Sequence, residues 1–331
     1  MGRRYAGWSW LRGVAALGLL GLVWAGCSSR SSLPSAPLAT GPGSLDGSTV
    51  APPNPRDNED YEPKPGTMLP KKPRKLCAPA YRFDRSLFSN PTNIDNPYSP
   101  LIPGIQYTLE GRADRGGGAL PHRVSFTVTG VTKEIYGVNC VVLWDVDFNQ
   151  NALAEEELAF FAQDDLGTIW SFGEYPEEYD FTSGEFQGAP NTWIVGFDGA
   201  QPGTFLLGDL RRGKGYYSQG YAPTIEFLDC ATVLTTDTKT CVPVGCYTDV
   251  LLVDELGPFD PQGGHQRKYY ARGVGNIKIG AINDPEGETL VMIDRRQLGP
   301  TELAAANQAA LRLDARGFQF NDIYAQTVPA K

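Results

Sequence analysis

The chain has 331 residues, 38 acidic against 29 Lys and Arg side chains, and a formal net charge of −9. Nucleic-acid phosphates need a cationic face; none is visible here, so nucleic acid is excluded as a partner. Two histidines and six cysteines supply too few closely spaced imidazole and thiolate ligands for a zinc centre, and neither a metal nor a cofactor is expected.

Arg3, Arg4 and Arg12 open the chain, and an apolar run follows from Val14 to Trp24. The run is about 11 residues long, below the roughly 20 needed to span a bilayer. Ala25 and Gly26 then precede Cys27. A basic start, a short apolar stretch and small residues before a cut site make a signal peptide over residues 1–26. A Cys directly after Ala-Gly further resembles a bacterial lipoprotein signal, which implies lipid on Cys27 and a membrane as partner. Trp24 departs from that pattern, so plain secretion and an uncleaved anchor remain alternatives. Loss of the leader removes three arginines and no acids, leaving a formal charge of −12.

Residues 27–76 are rich in Pro, Ser and Gly. Such a composition buries too little apolar surface to offset chain entropy, so a tether is expected. Lys71, Lys72, Arg74 and Lys75 end it, as a solvated linker or as a contact for anionic headgroups.

From Cys77 the patterning is that of a mainly β domain, residues 77–320, with a tail at 321–331. Prolines 91, 97, 100 and 103 forbid helix and central strand, so a lead-in loop is expected before a first strand at Ile105–Glu110. His122–Thr129 alternates, with Val124, Phe126 and Val128 on one face. Ile135–Phe148 reads as one long strand bulged at Gly137. Glu156–Gln163 and Thr168–Glu174 read as a hairpin around Asp164-Asp165-Leu166-Gly167. Further strands are expected at Thr192–Phe197, Gly215–Tyr221, Thr224–Leu234, Thr248–Glu255, Gln266–Arg272, Asn276–Ala281 and Thr289–Asp294. One helix, 301–316, is expected, capped by Thr301 and ended by Gly317, with Leu303, Ala306, Ala310 and Leu313 along one face. Together these predict a single antiparallel curved sheet or open barrel with the C-terminal helix packed on it.

With Cys27 lipidated, five cysteines remain. A turn near Thr235–Thr236 would place Cys230 opposite Cys241, the favoured disulfide. Cys241 with Cys246 competes, and unpaired buried thiols are the third possibility.

The phrases NPYSPLIPG, GVNCVVLWD, FFAQDDLGTIWSFGE and KYYARGVGNIKIG resemble a set of secreted bacterial β-rich proteins without assigned activity. The resemblance spans roughly Phe83 to Gly317. The strand pattern is also similar in architecture to lipoprotein-carrier half-barrels, which implies a sheet sheltering an apolar cavity.

No nucleophile elbow, phosphate loop or metalloprotease helix is present. Gly116-Gly117-Gly118 lies in a polar loop that opens no helix. Asp145 and Asp147 share one strand face with Leu143, about 7 Å apart, a spacing suited to paired carboxylates in glycoside hydrolysis; a solvated outer face is the simpler expectation. Glu155, Glu156 and Glu157 read as a solvated bend. His265, followed by Arg267 and Tyr269, has the groups for proton abstraction beside a sugar carboxylate; an exposed strand-end histidine is the plainer alternative. Aromatic side chains recur on successive strands, as a packed core or as a ligand-lined concavity. Trp144, Trp170, Phe172, Trp193, Tyr217 and Tyr269 are the ligand-binding candidates.

The expected function is an exported, lipid-anchored envelope protein that binds an apolar or amphiphilic ligand in a sheet concavity. A polysaccharide hydrolase or lyase is one alternative, with a saccharide as ligand. A structural or protein-interaction module is the other.

Overall fold

The structure, a computed structural model, describes residues 77, 79–115, 118–260 and 262–331. The leader, Cys27 and the tether lie outside the described residues.

The chain forms β1 (Ile105–Asp114), β2 (Ala119–Ile135), β3 (Val138–Asn149), β4 (Ala152–Gln163), β5 (Ile169–Tyr179), β6 (Phe186–Gly188), β7 (Trp193–Ile194) and β8 (Gln201–Leu206). It continues with β9 (Tyr217–Ala222), β10 (Phe227–Val242), β11 (Gly245–Leu256), β12 (His265–Ala271), β13 (Gly275–Ile282), β14 (Thr289–Gln297) and helix α1 (Pro300–Phe320). The wall runs β4-β3-β2-β1-β14-β13-β12-β11-β10-β9-β8-β5, and pairing of β5 with β4 closes it into a twelve-stranded antiparallel barrel. β6 and β7 add to β5 outside that ring. Closure leaves no unpaired sheet edge in the ring.

Side chains alternate in and out along each strand. Inward positions carry Tyr107, Leu109, Val124, Phe126, Leu143, Phe161, Phe205, Tyr270 and Ile279, one continuous apolar core. A second core lies on the outer face of β3–β5, where Val142, Leu158, Phe160, Trp170, Phe172 and Tyr175 pack beneath Ala310, Leu313 and Tyr324. β5 is therefore buried on both faces, and its sequence reads as a run rather than an alternation.

The lead-in loop plugs the barrel at the end where β1 begins. Ile94, Tyr98 and Leu101 join the inner core. Asn96 holds the loop in place: its Nδ2 donates to the carbonyls of Gly167 (2.8 Å) and Leu207 (3.3 Å), and its backbone N–H donates to Gln163 Oε1 at 2.8 Å. Asp164 Oδ1 accepts from the N–H groups of Leu166 and Thr168, and its Oδ2 from Trp170 Nε1, each at 2.9 Å. Gly273, at φ +74 in the β12–β13 turn, donates to the Pro97 carbonyl at 2.7 Å.

Several expectations are corrected. Ile135–Phe148 is not one strand: Tyr136 and Gly137, both at positive φ, make the two-residue turn from β2 to β3, the geometry a tight hairpin requires. Gln150 and Asn151 do the same for β3 and β4, so Glu155–Glu157 belong to a strand and not a bend. β8 is additional, hidden by its Pro202-Gly203. Helix α1 starts at Pro300 after a Gly299 N-cap, with Glu302 Oε2 accepting from Gly299 N at 2.9 Å. Gly317 lies within the helix because a Cβ there would overlap the Tyr324 ring.

The favoured Cys230–Cys241 disulfide is also overturned. β10 does not turn at Thr235–Thr236, so those residues lie about 35 Å apart along one strand. The pairs formed are Cys77–Cys230 and Cys241–Cys246, the latter directly opposed across β10–β11, with Cys140 a buried free thiol.

The helix and tail are locked by one buried ion pair. Lys133 Nζ on β2 donates to Asp314 Oδ1 (2.7 Å) and to the Val328 carbonyl (2.6 Å), and Tyr324 Oη donates to the same Asp314 oxygen at 2.6 Å. Burial lowers the Lys133 pKa. Lys133→Met should cost about 3–5 kcal/mol, because it leaves Asp314 buried without its cation. Adding Asp314→Leu should recover part of that, read as urea midpoints. Loop-closure entropy gives about 5 kcal/mol for the bridge spanning 153 residues and about 2 kcal/mol for the one spanning 5. Cys77→Ser should therefore lower the unfolding free energy more than Cys246→Ser.

Candidate functional site: an apolar chamber beside a buried acid ladder

Inside the plugged end is a cavity of about 60 Å³, lined by Leu101, Tyr107, Phe126, Leu143, Phe161 and Phe205 among others, with Ser99, Gly275 and Asn276 where the plug meets the β12–β13 turn. Lys268 and Phe205 also border a second void of about 10 Å³, lined by Ser171, Glu174, Gln219, Asp229 and Glu255. Lys268 Nζ lies 2.6 Å from Glu255 Oε2, and Gln219 Nε2 donates to Glu255 Oε1 at 3.1 Å. The cavity is a few water molecules in size.

Toward the opposite end the inward positions turn acidic. Asp145 faces Glu157, Asp147 faces Glu155, and Glu155 faces Glu178 across β3, β4 and β5. Directly opposed side chains have Cβ atoms about 5 Å apart, and like charges there repel. Arg115 offsets part of the charge through Glu286 and through Glu288 at 3.0 Å. His122 stands between acids, its Nδ1 3.2 Å from Asp147 and its Nε2 2.9 Å from Glu288.

Burial pushes Asp145, Glu155 and Glu157 far up, and neighbouring carboxylates push them further. Asp147 is raised by burial to about 6, restrained by His122 and Arg115. Glu178 is raised by burial to about 7, against the Asn191 amide that donates to it. Burial alone would lower His122, but Asp147 and Glu288 outweigh it and the net shift is upward. Burial thus favours the uncharged carboxylic-acid form of Asp145, Glu155 and Glu157 over the ionised one.

Asp145 and Asp147 do share a face with Leu143, yet that face is the interior: they are 4% and 3% exposed. The expectation of a solvated outer face is reversed, and no polysaccharide reaches them. Glu155 and Glu157 are likewise inside. Among the described residues no group of three or more His, Cys, Asp or Glu converges as a metal site.

The aromatic candidates divide between the two faces. Tyr217 is buried in the inner core. Trp193 lines the smaller void, stacked on Phe227 at 5.0 Å, with its Nε1 donating to Glu174 Oε2 at 2.9 Å. Trp170 and Phe172 lie outside the wall under Phe83 and Phe88. Trp144 is on the outer face, its Nε1 donating to Glu156 Oε1 at 2.9 Å. Tyr269 points outward and Tyr270 inward. His265 is on the outer face with Asp254, and Tyr269, on the same strand face, is about 13 Å from it. The cavity residues Tyr107, Phe205 and Tyr270 were not among the candidates. Strand parity separates Tyr269 from Tyr270, but only the register of the whole wall says which side is inside.

No protein family matches the chain, and no curated protein matches it. Two solved structures are similar: a provisional lipoprotein from Parabacteroides distasonis ATCC 8503 (12% identity, TM-score 0.34) and a provisional exported protein with a YmcC-like fold from Bacteroides fragilis NCTC 9343 (11% identity, TM-score 0.32). Each match covers 60% of this chain and 98% of the other. At those scores neither bears on what this chain does.

A group whose folded pKa is raised contributes stability that is complete below its unfolded pKa and lost as pH rises through the folded one. Asp147, Glu178 and His122 all act in this sense. The thermal midpoint should fall as pH rises from about 4 to about 7. Glu178→Gln should flatten the upper part of that slope, measured by calorimetry in a pH series.

Proposed function

We propose that this chain is exported, is anchored by lipid on Cys27, and uses its barrel to hold the tip of an apolar or amphiphilic ligand at the cell envelope. The leader supports export, and two disulfides fit an oxidising compartment. The observation that carries the ligand reading is the aromatic-walled chamber inside the plugged end of the barrel. Ser99 of the lead-in loop and Gly275 and Asn276 at the start of β13 line it at the plugged end. At about 60 Å³ it takes a chain end and not a whole drug-sized ligand, whose pockets run to about 300–1,000 Å³. The remainder of the ligand would lie outside or displace the plug.

That small volume also favours a second reading, a surface spacer with no ligand. One experiment separates the two. Native mass spectrometry of protein released gently from membranes should show a bound amphiphile, and dodecanoate should bind the emptied protein in calorimetry. Leu143→Phe, which fills the chamber, should weaken dodecanoate binding at least tenfold while the circular-dichroism spectrum is kept. No adduct and no dodecanoate heat with the wild type would leave the spacer reading.

A further inference from the structure

The outer face of β11–β13 carries a cluster remote from the chamber. Asp254, His265, Arg267, Tyr269, Lys278 and Gly280 all point outward there. Asp254 pairs with Arg267 and Leu252 with Tyr269 across β11–β12, while Arg267 pairs with Gly280 and Tyr269 with Lys278 across β12–β13.

Asp254 is the organiser. Its side chain is 7% exposed, and its Oδ2 meets His265 Nδ1 and accepts from Tyr216 Oη, both at 2.7 Å. Its Oδ1 accepts from Arg267 Nε at 3.4 Å. A carboxylate on Nδ1 fixes the imidazole so that Nε2 is the outward nitrogen. Among the described residues Arg267 engages Asp254 through Nε, and its terminal guanidinium nitrogens, in the fork geometry that matches a carboxylate, are left for a ligand. His265 and Arg267 are 39% and 38% exposed at the side chain, so both are held and reachable.

Lys278 stands beside them, with Nζ 5.1 Å from the Tyr269 ring centroid. It has no acidic partner within ion-pair distance among the described residues. Between these side chains the floor is Gly280, where a Cβ would meet nothing within 4 Å. With no side chain at Gly280, the space opposite Arg267 is left open beside Tyr269 and Lys278. In a chain of net charge −9, half-buried Lys278 and partly exposed Arg267, with a histidine, around the one buried acid Asp254 leave an excess of positive charge here.

We propose that this space binds a carboxylate-bearing saccharide. Arg267 and Lys278 take the carboxylate of one uronate, Tyr269 contacts that sugar ring, and His265 Nε2 hydrogen-bonds a hydroxyl of the neighbouring sugar. The charge pattern requires an anion. The open glycine floor and the tyrosine wall favour a flat, hydroxylated ring over a compact anion such as phosphate.

The test uses the full-length protein in detergent, titrated by calorimetry with trigalacturonate, cellotriose and inorganic phosphate. Trigalacturonate should bind with an affinity that falls as salt is raised, and the other two should bind at least tenfold more weakly. Arg267→Gln should weaken trigalacturonate at least tenfold. Gly280→Leu, which fills the floor without removing a charge, should do the same with an unchanged thermal midpoint. Dodecanoate binding should be unaffected by either, which keeps this site separate from the chamber. Equal binding of cellotriose or phosphate, no trigalacturonate binding, or indifference to both substitutions at an unchanged thermal midpoint would overturn the proposal.

Discussion

Closure of the wall is the constraint from which everything else follows. Once β5 pairs with β4, twelve strands enclose a volume that is filled by their own buried inward side chains. At the plugged end Tyr107, Phe126, Phe161, Phe205 and Tyr270 nearly fill it, and the remaining chamber is what they leave. At the other end β3, β4 and β5 present carboxyls to one another. That arrangement survives because burial keeps protons on several of them, and because Arg115 and His122 stand where the strands meet the β14 side. The ladder is therefore a buried part of the scaffold that responds to acidity.

Much of the architecture was legible. Period-two stretches located most of the wall, and the alanine-leucine stripe located the helix. What was hidden has specific causes. β8 carries Pro202-Gly203, a turn signature, yet Gly203 is there because the backbone of Gln219 passes too close for a Cβ. Tyr136 looked like strand because the positive φ it adopts is rare for an aromatic residue. The cysteine pairing failed because β10 extends past the ring, a length no local pattern announced. The acids failed for a deeper reason. A charged residue at an alternating position is assigned outward by habit, and the inside of a wide barrel is where the habit breaks.

The distinctive phrases of the chain acquire a common explanation. Asn96 and Tyr98 set the plug, Gln163 receives it, Asp164 shapes the turn beside it, Gly173 leaves room for the Trp193 backbone, and Gly273 donates a hydrogen bond to the Pro97 carbonyl. These residues hold two loops and two turns together at one end of the barrel. They set the packing around the cavity at that end. The exposed His265 cluster stands apart: its groups are organised by Asp254 and hold no loop in place.

The bond from Cys77 to Cys230 has a mechanical meaning. Cys77 is the first described residue, and its partner sits on the outer side of β10. A pull arriving from the N-terminal side crosses directly through sulfur into that strand. The 153-residue span between the two cysteines, which includes the plug and most of the wall, is shunted out of the load path. A pull from that side therefore bypasses the plug, and the seating of Ile94, Tyr98 and Leu101 in the inner core carries none of the load.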